Sequence, residues 1–197
     1  MITPLEELPP EPRSAFNRRL RDGFYDTYLK GVGLDIGFRG GIEYAKPITT
    51  TAIGIELEYA GYNGVHLPFL DESQDFVFAS HILEHVPVRN VMAVLTEWQR
   101  VLKVGGHMII CVPHKYLYEK KRDLPSRYNA DHRQFFTPSL LLRYIENTLE
   151  PNTYRVRVLH DCDDGFDYSI PPESHSCGEY QIEMVLQKIT PPTWEIE

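Results

Sequence analysis

Hydrophobic spacing divides the chain into alternating helical and extended stretches. After the loop-forming Pro9 to Pro12, Ala15, Phe16, Leu20, Phe24 and Leu29 recur at helical spacing, with Arg18, Arg19, Arg21 and Asp22 on other faces. This predicts a helix over about Arg13 to Leu29, within an N-terminal helical segment 1–30. Short apolar runs at Val32 to Ile36, Ala52 to Ile55, Phe76 to Ala79 and His107 to Val112 have the length of buried parallel strands. Between the last two, Val91, Val94, Leu95, Trp98, Val101 and Leu102 fall on one side of a helix predicted over Val88 to Leu102, which Gly105 and Gly106 are expected to stop. Thr137 and Pro138 open another helix, running to Leu149. Two closing strands, Tyr154 to Leu159 and Tyr180 to Gln187, have only a polar loop between them. Strands alternating with helices indicate an α/β domain with a mostly parallel sheet, and this last pair predicts an antiparallel partner at its edge.

The stretch Pro113 to Pro138 is long, polar and aromatic, and loops of that size in a compact domain are usually functional. It is the expected acceptor loop or lid. Tyr116, Tyr118, Tyr128, Phe135 and Phe136 interleave there with Glu119, Arg127, Asn129 and Asp131. Aromatic faces beside hydrogen-bonding groups suit a sugar ring, a planar aromatic acceptor, or plain loop packing.

Composition narrows the possibilities. A length of 197 residues, 42% of them hydrophobic, suits a single domain over 1–197 with a core that needs no disulfides. Cys111, Cys162 and Cys177 are an odd number without metal-ligand spacing. A net charge of −8 disfavours nucleic acid as a partner, although short basic clusters such as Lys120-Lys121-Arg122 suit a small anionic substrate. The longest apolar run, Met108 to Val112, is far below the roughly 18 residues of a membrane span, and the N-terminus lacks the character of a signal peptide. The expectation is a soluble cytoplasmic protein, with a homodimer through an exposed sheet edge left open.

Candidate chemistry starts at the glycine-rich turn Gly37-Phe38-Arg39-Gly40-Gly41, which follows Asp35-Ile36 at a strand end and lets backbone approach a ligand closely. Glu56 ends the next strand, where a carboxylate suits a ribose diol. The segment Leu67-Pro68-Phe69-Leu70-Asp71-Glu72-Ser73-Gln74-Asp75-Phe76-Val77-Phe78-Ala79-Ser80-His81-Ile82-Leu83-Glu84-His85-Val86, followed by Arg100-Val101-Leu102-Lys103-Val104-Gly105-Gly106, resembles the class I S-adenosylmethionine-dependent methyltransferases, in particular the small type-11-like group. The resemblance covers roughly Val32 to Leu149. It implies a Rossmann-like fold and S-adenosylmethionine as cofactor, with transfer of a methyl group to a small-molecule or glycan acceptor. Asp35 and Gly37 would cradle the methionine end, within a wall that includes Phe38, Arg39 and Gly41. Glu56 and Leu57 would meet the ribose, and the turn Asn63, Gly64 to Leu67 would border the adenine. Ser80 and His81 would face the sulfonium.

Three departures bear on the site. Arg39 stands where the family has its middle glycine, and either crowds the turn or supplies a charge to the cofactor carboxylate. The six residues between Glu56 and Asn63 are too few for the usual helix and third strand, so the sheet is abbreviated around its second and third strands. Asn63 replaces an acidic residue. Ile42 to Thr51 is likewise a poor substitute for a long first helix. These departures keep a non-catalytic cofactor-binding scaffold in view.

Methyl transfer needs a base only where the acceptor loses a proton. His81, His114 and His132 are the candidates, with Asp131 placed to orient His132; each has an ordinary structural role as its alternative. His81, Glu84 and His85 would share one face if helical, a spacing that suits a metal and resembles the Glu-x-x-Glu-His of certain ubiquinone-pathway O-methyltransferases. The ending Pro-Ser-Arg-Tyr-Asn-x-Asp-His with Phe-Thr-Pro resembles short methyltransferases of surface polysaccharide assembly. That resemblance points to O-methylation of a sugar or polysaccharide unit, with a natural-product or quinone-type O- or N-methyltransferase as the alternative.

Overall fold

The computed structural model describes residues 10–38 and 46–194. Helices α1 (Pro10–Arg21) and α2 (Phe24–Tyr28) precede strands β1 (Gly33–Ile36), β2 (Ala52–Ile55) and β3 (Gln74–Ser80). Helix α3 (Val91–Val101), strand β4 (Leu102–Pro113), helix α4 (Pro138–Thr148) and strands β5 (Tyr154–Cys162) and β6 (Gln181–Lys188) complete the chain. The six strands lie in the order β2-β1-β3-β4-β6-β5. The first four are parallel, and β6 runs antiparallel to both β4 and β5. The closing pair therefore supplies the antiparallel edge, and β2 forms the other edge, as the short Glu56 to Asn63 connection requires.

Side-chain alternation sorts the sheet into two faces. Leu34, Ile36, Val77, Ala79, Met108, Ile110, Val112, Ile182, Met184 and Leu186 pack in the larger core with Leu95 and Trp98 of α3 and Leu141 and Ile145 of α4. Phe76, Phe78, Ile109, Cys111 and Val185 pack on the opposite face with Phe24 and Leu29. The result is three layers. Helix α4 starts as the sequence indicates, with Pro138 in its first turn and the Thr137 hydroxyl accepting from the Leu140 amide at 3.3 Å.

The amino-terminal helix differs from its expected form. It breaks at Gly23, whose φ of 66° is left-handed, and α2 begins immediately after. Ala15, Phe16, Phe24 and Leu29 are buried as expected, but Leu20 is 53% exposed, whereas Arg18 and Arg19 are buried. The cause lies far along the chain, because Glu179 and Glu183 wait beneath α1. Arg18 bonds both carboxylates, at 3.1 and 2.9 Å, and Arg19 bonds Glu183 at 2.6 Å. A second correction concerns Gly105 and Gly106. They do not stop α3, which ends at Val101; they lie inside β4, where the pairing with β3 is irregular.

Candidate active site

The carboxyl ends of β1 to β4 open onto one edge of the sheet. Because Leu34 and Ile36 fill the larger core, Asp35 between them belongs to the α1 face. It is nearly sealed from solvent, and its Oδ2 accepts the Ile48 amide at 2.6 Å. Burial pushes its carboxyl up to about 7; the Ile48 bond opposes this, nearby Glu56 adds to it, and Arg19 opposes it. Gly37 follows with φ of 69°, and a Cβ there would meet Ile82 Cδ1 at 1.9 Å. The Phe38 ring covers Gly54, whose imagined Cβ would stand 2.4 Å from the ring. Arg39 and Gly41 lie outside the described residues.

Glu56 leaves the end of β2 beside Leu57, which is 73% exposed. Asn63 makes a local turn, its Oδ1 accepting from the Val65 and His66 amides at 3.0 and 2.7 Å. That leaves its NH2 group to donate outward. Gly64 lies in this turn at φ of 86°. Leu67 departs from its expected place: its side chain is fully buried in the larger core and gives no face to a ligand.

Ser80 ends β3, and His81 follows in a left-handed conformation, φ 58°, which turns the chain sharply at the sheet edge. His81 Nε2 meets Gln181 Oε1 at 3.3 Å, and its Nδ1 lies 3.6 Å from Glu84. Burial brings its imidazole down to about 4, against the Gln181 bond and with the help of Arg19, His132 and His85. The segment after it is not an α-helix. A single 3₁₀ turn covers Leu83–His85, so His81, Glu84 and His85 do not form the expected helical face. Instead Glu84, His85 and His132 each bring one ligand-type atom within 4.8 Å of the others.

His132 arrives on a loop docked by backbone and side-chain bonds. The Arg133 amide donates to the Glu84 carbonyl at 2.7 Å, and Gln134 Nε2 donates to the Leu83 carbonyl at 3.1 Å. Its Nδ1 meets Glu119 Oε1 at 2.5 Å, with both side chains buried. Glu119, not Asp131, orients His132; Asp131 itself is exposed. Sequence spacing gave no signal for this pairing, because the loop must fold back on itself to make it.

His114 closes β4. Its Nδ1 accepts from the Tyr116 and Leu117 amides at 3.1 and 3.3 Å, which fixes the tautomer with the proton on Nε2, 3.4 Å from Asp161 Oδ1. Both ring nitrogens are engaged, so His114 caps the turn at residues 115–119 and has no lone pair left for a substrate proton. Beyond this turn lies a cavity of about 450 Å³, lined by Tyr116, Phe166 and Tyr168 with Lys120, Lys121 and Arg122 at its side. Half its wall comes from the loop between β5 and β6. Among the described residues, no helix is long and apolar enough to cross a membrane.

Known proteins agree with this architecture. Residues 25–110 match the family described as "Methyltransferase domain". No curated protein matches the chain. An S-adenosylmethionine-dependent methyltransferase from Archaeoglobus fulgidus is 15% identical, with a TM-score of 0.55 over 88% of this chain and 94% of its own. One from Aquifex aeolicus is 15% identical, with a TM-score of 0.54 over 93% and 100%. A Haloferax volcanii methyltransferase structure, in complex with the Trm112 methyltransferase activator, is 14% identical, with a TM-score of 0.53 over 94% and 87%. At these identities the likeness establishes the fold. The matched domain runs from α2 into β4, so the chain has the Rossmann-like fold of the S-adenosylmethionine-dependent methyltransferases, with a segment similar to the methyltransferase domain at its cofactor edge.

Proposed function

We propose that the chain methylates a hydroxyl of a sugar or polysaccharide unit. The observation that carries this reading is the cavity between the two long loops, in which three aromatic faces stand beside three cationic side chains. Aromatic faces suit the C–H surface of a sugar ring, and the cations favour a unit bearing a carboxylate or phosphate. Lys120 and Lys121 also donate to the Ser174 and Pro125 carbonyls, so they hold the cavity wall in place as well as lending it positive charge.

The cofactor edge fits S-adenosylmethionine. Gly37 takes a left-handed turn packed closely against Ile82 at the end of β1, and the reading assigns the buried Asp35 carboxyl to the methionine ammonium and Glu56, after β2, to the ribose diol. When bound, the cofactor supplies an electrophilic methyl on sulfur. The chain's own contribution is to position the acceptor and exclude water. With His114 engaged as a cap and His132 held by Glu119, His81 at the end of β3 is the histidine we assign nearest the transfer.

The test is a measurement of S-adenosylhomocysteine release by the purified chain, with uronic acids and sugar phosphates, neutral glycans, and catechols or amines as separate acceptor sets. Turnover on the acidic sugars supports the reading. Turnover confined to catechols or amines overturns it, and saturable cofactor binding without any turnover points to a scaffold.

A further inference from the structure

We propose that Glu84, His85 and His132 form a binding site for a divalent transition metal of the zinc type, which pins the acceptor loop to the end of β3. The atoms they offer lie within 4.8 Å of one another, drawn from two segments nearly fifty residues apart. Two imidazoles and a carboxylate are the donor set that such ions take when a fourth position stays open.

Glu84 supplies the independent observation. Its side chain is 1% exposed, and neither carboxylate oxygen has a hydrogen-bond partner. Buried carboxyl groups are ordinarily paired or bound to metal, because leaving one unpartnered forfeits its hydration without return. The nearest basic groups, His81 Nδ1 and His85 Nε2, stand 3.6 and 3.9 Å from Oε1, too far to be hydrogen bonds. An ion placed among Glu84, His85 and His132 would satisfy this carboxylate.

The surroundings also have the form of an outer ligand shell. Metal-bound histidines usually donate their second ring N–H to a carboxylate, and buried Glu119 meets His132 Nδ1 at 2.5 Å. Nε2 is then the His132 nitrogen left to ligate. The rings of His85 and His132 are 5.0 Å apart and nearly perpendicular. Ligand atoms around one zinc at 2.0–2.1 Å lie roughly 3.3 Å apart, so the group has to contract. His85 has 35% of its side chain exposed, so its ring can turn inward at the cost of its bond to the Asp131 backbone. The Arg133 amide bond to the Glu84 carbonyl already holds the backbones in register, so contraction needs side-chain movement only.

The test uses the full chain stripped with a chelator and titrated with Zn2+ against a chromophoric competitor, and with Co2+ followed by its visible absorption. One equivalent is expected to bind, with intense four-coordinate Co2+ bands. Glu84→Gln and His85→Ala should each weaken Zn2+ binding at least tenfold, and Glu119→Gln by about ten- to a hundredfold through His132. Circular dichroism and S-adenosylmethionine affinity serve as folding controls. His85→Ala, at a partly exposed position, stands in if Glu84→Gln does not fold. Absence of stoichiometric Zn2+ or Co2+ binding by the wild-type chain overturns the proposal. So does wild-type affinity in folded His85→Ala.

Discussion

Arg19 in α1 and Glu183 in β6 bond at 2.6 Å with both side chains almost wholly buried, 164 residues apart in the chain. Arg19 also lies over the rings of Phe24 and Phe78, so it joins the amino-terminal helix to the sheet by charge and by packing. Removing one member of such a pair leaves the other charge uncompensated, at a cost of about 3–5 kcal/mol. Arg19→Ala is therefore expected to lose about that much in urea unfolding, and a loss below about 1 kcal/mol would show the pair to be incidental. Burial would raise the Glu183 carboxyl, but Arg19 and Arg18 overcome it and hold the group below its usual value. The sign follows: this stability is present above the unfolded value of about 4.5 and is lost as pH falls through the lower folded value.

Asp35 has the opposite sign. Its carboxyl is raised by burial to about 7, so the ligand-free fold is most favoured where the group is protonated. Stability should decline as pH rises from the unfolded value near 3.8 and level off above about 7. If the ionised group holds the methionine ammonium, cofactor affinity should rise over the same interval, approaching tenfold per pH unit below 7. Titration calorimetry between pH 5.5 and pH 7.5 on wild type and Asp35→Asn checks both. The variant should bind weakly with a flat profile, and an unchanged slope would remove Asp35 from the cofactor site.

Two left-handed glycines separate backbone strain from close packing at the sheet edge. At Gly23, φ 66°, a Cβ would meet nothing within 4 Å; at Gly37, φ 69°, it would collide with Ile82. Gly23→Ala should cost about 1–2 kcal/mol of stability and leave cofactor affinity intact. Gly37→Ala should add at least a tenfold loss of cofactor affinity, since its methyl must push Ile82 and the turn after β1 apart. Equal cofactor affinity in the two variants would remove the Gly37 turn from the cofactor site.

What the sequence disclosed depends on distance along the chain. β2 was legible to the residue because Ala52 to Ile55 is a short apolar run bounded by polar residues, and α4 because Thr137-Pro138 is a local start signal. The truncated edge followed from counting residues between Glu56 and Asn63. Arg18 and Arg19 misled, because their periodic position says surface while their partners, Glu179 and Glu183, lie at the other end of the chain. The Glu119 and His132 bond was hidden for the same reason, and the nearer Asp131 looked the better partner. Leu67 sits in the matched motif, yet its apolar side chain gains more from the core than from a ligand wall.

His114 offers the sharpest separation of a structural from a chemical role. Its Nδ1 takes two backbone amides, so alanine should free the turn at residues 115–119, whereas asparagine can present Oδ1 to the same donors. Hydrogen exchange at Tyr116 and Leu117 is expected to quicken at least tenfold in His114→Ala and to recover in His114→Asn. With an acceptor in hand, His114→Ala should raise KM for it through the neighbouring cavity, with cofactor affinity unchanged. His114→Asn should keep kcat within about threefold, because a general base contributes about a hundredfold or more and a cap contributes none of that. A collapse of kcat in His114→Asn, with the basic limb of the pH profile intact and the acidic limb lost, would return His114 to the chemistry and displace His81.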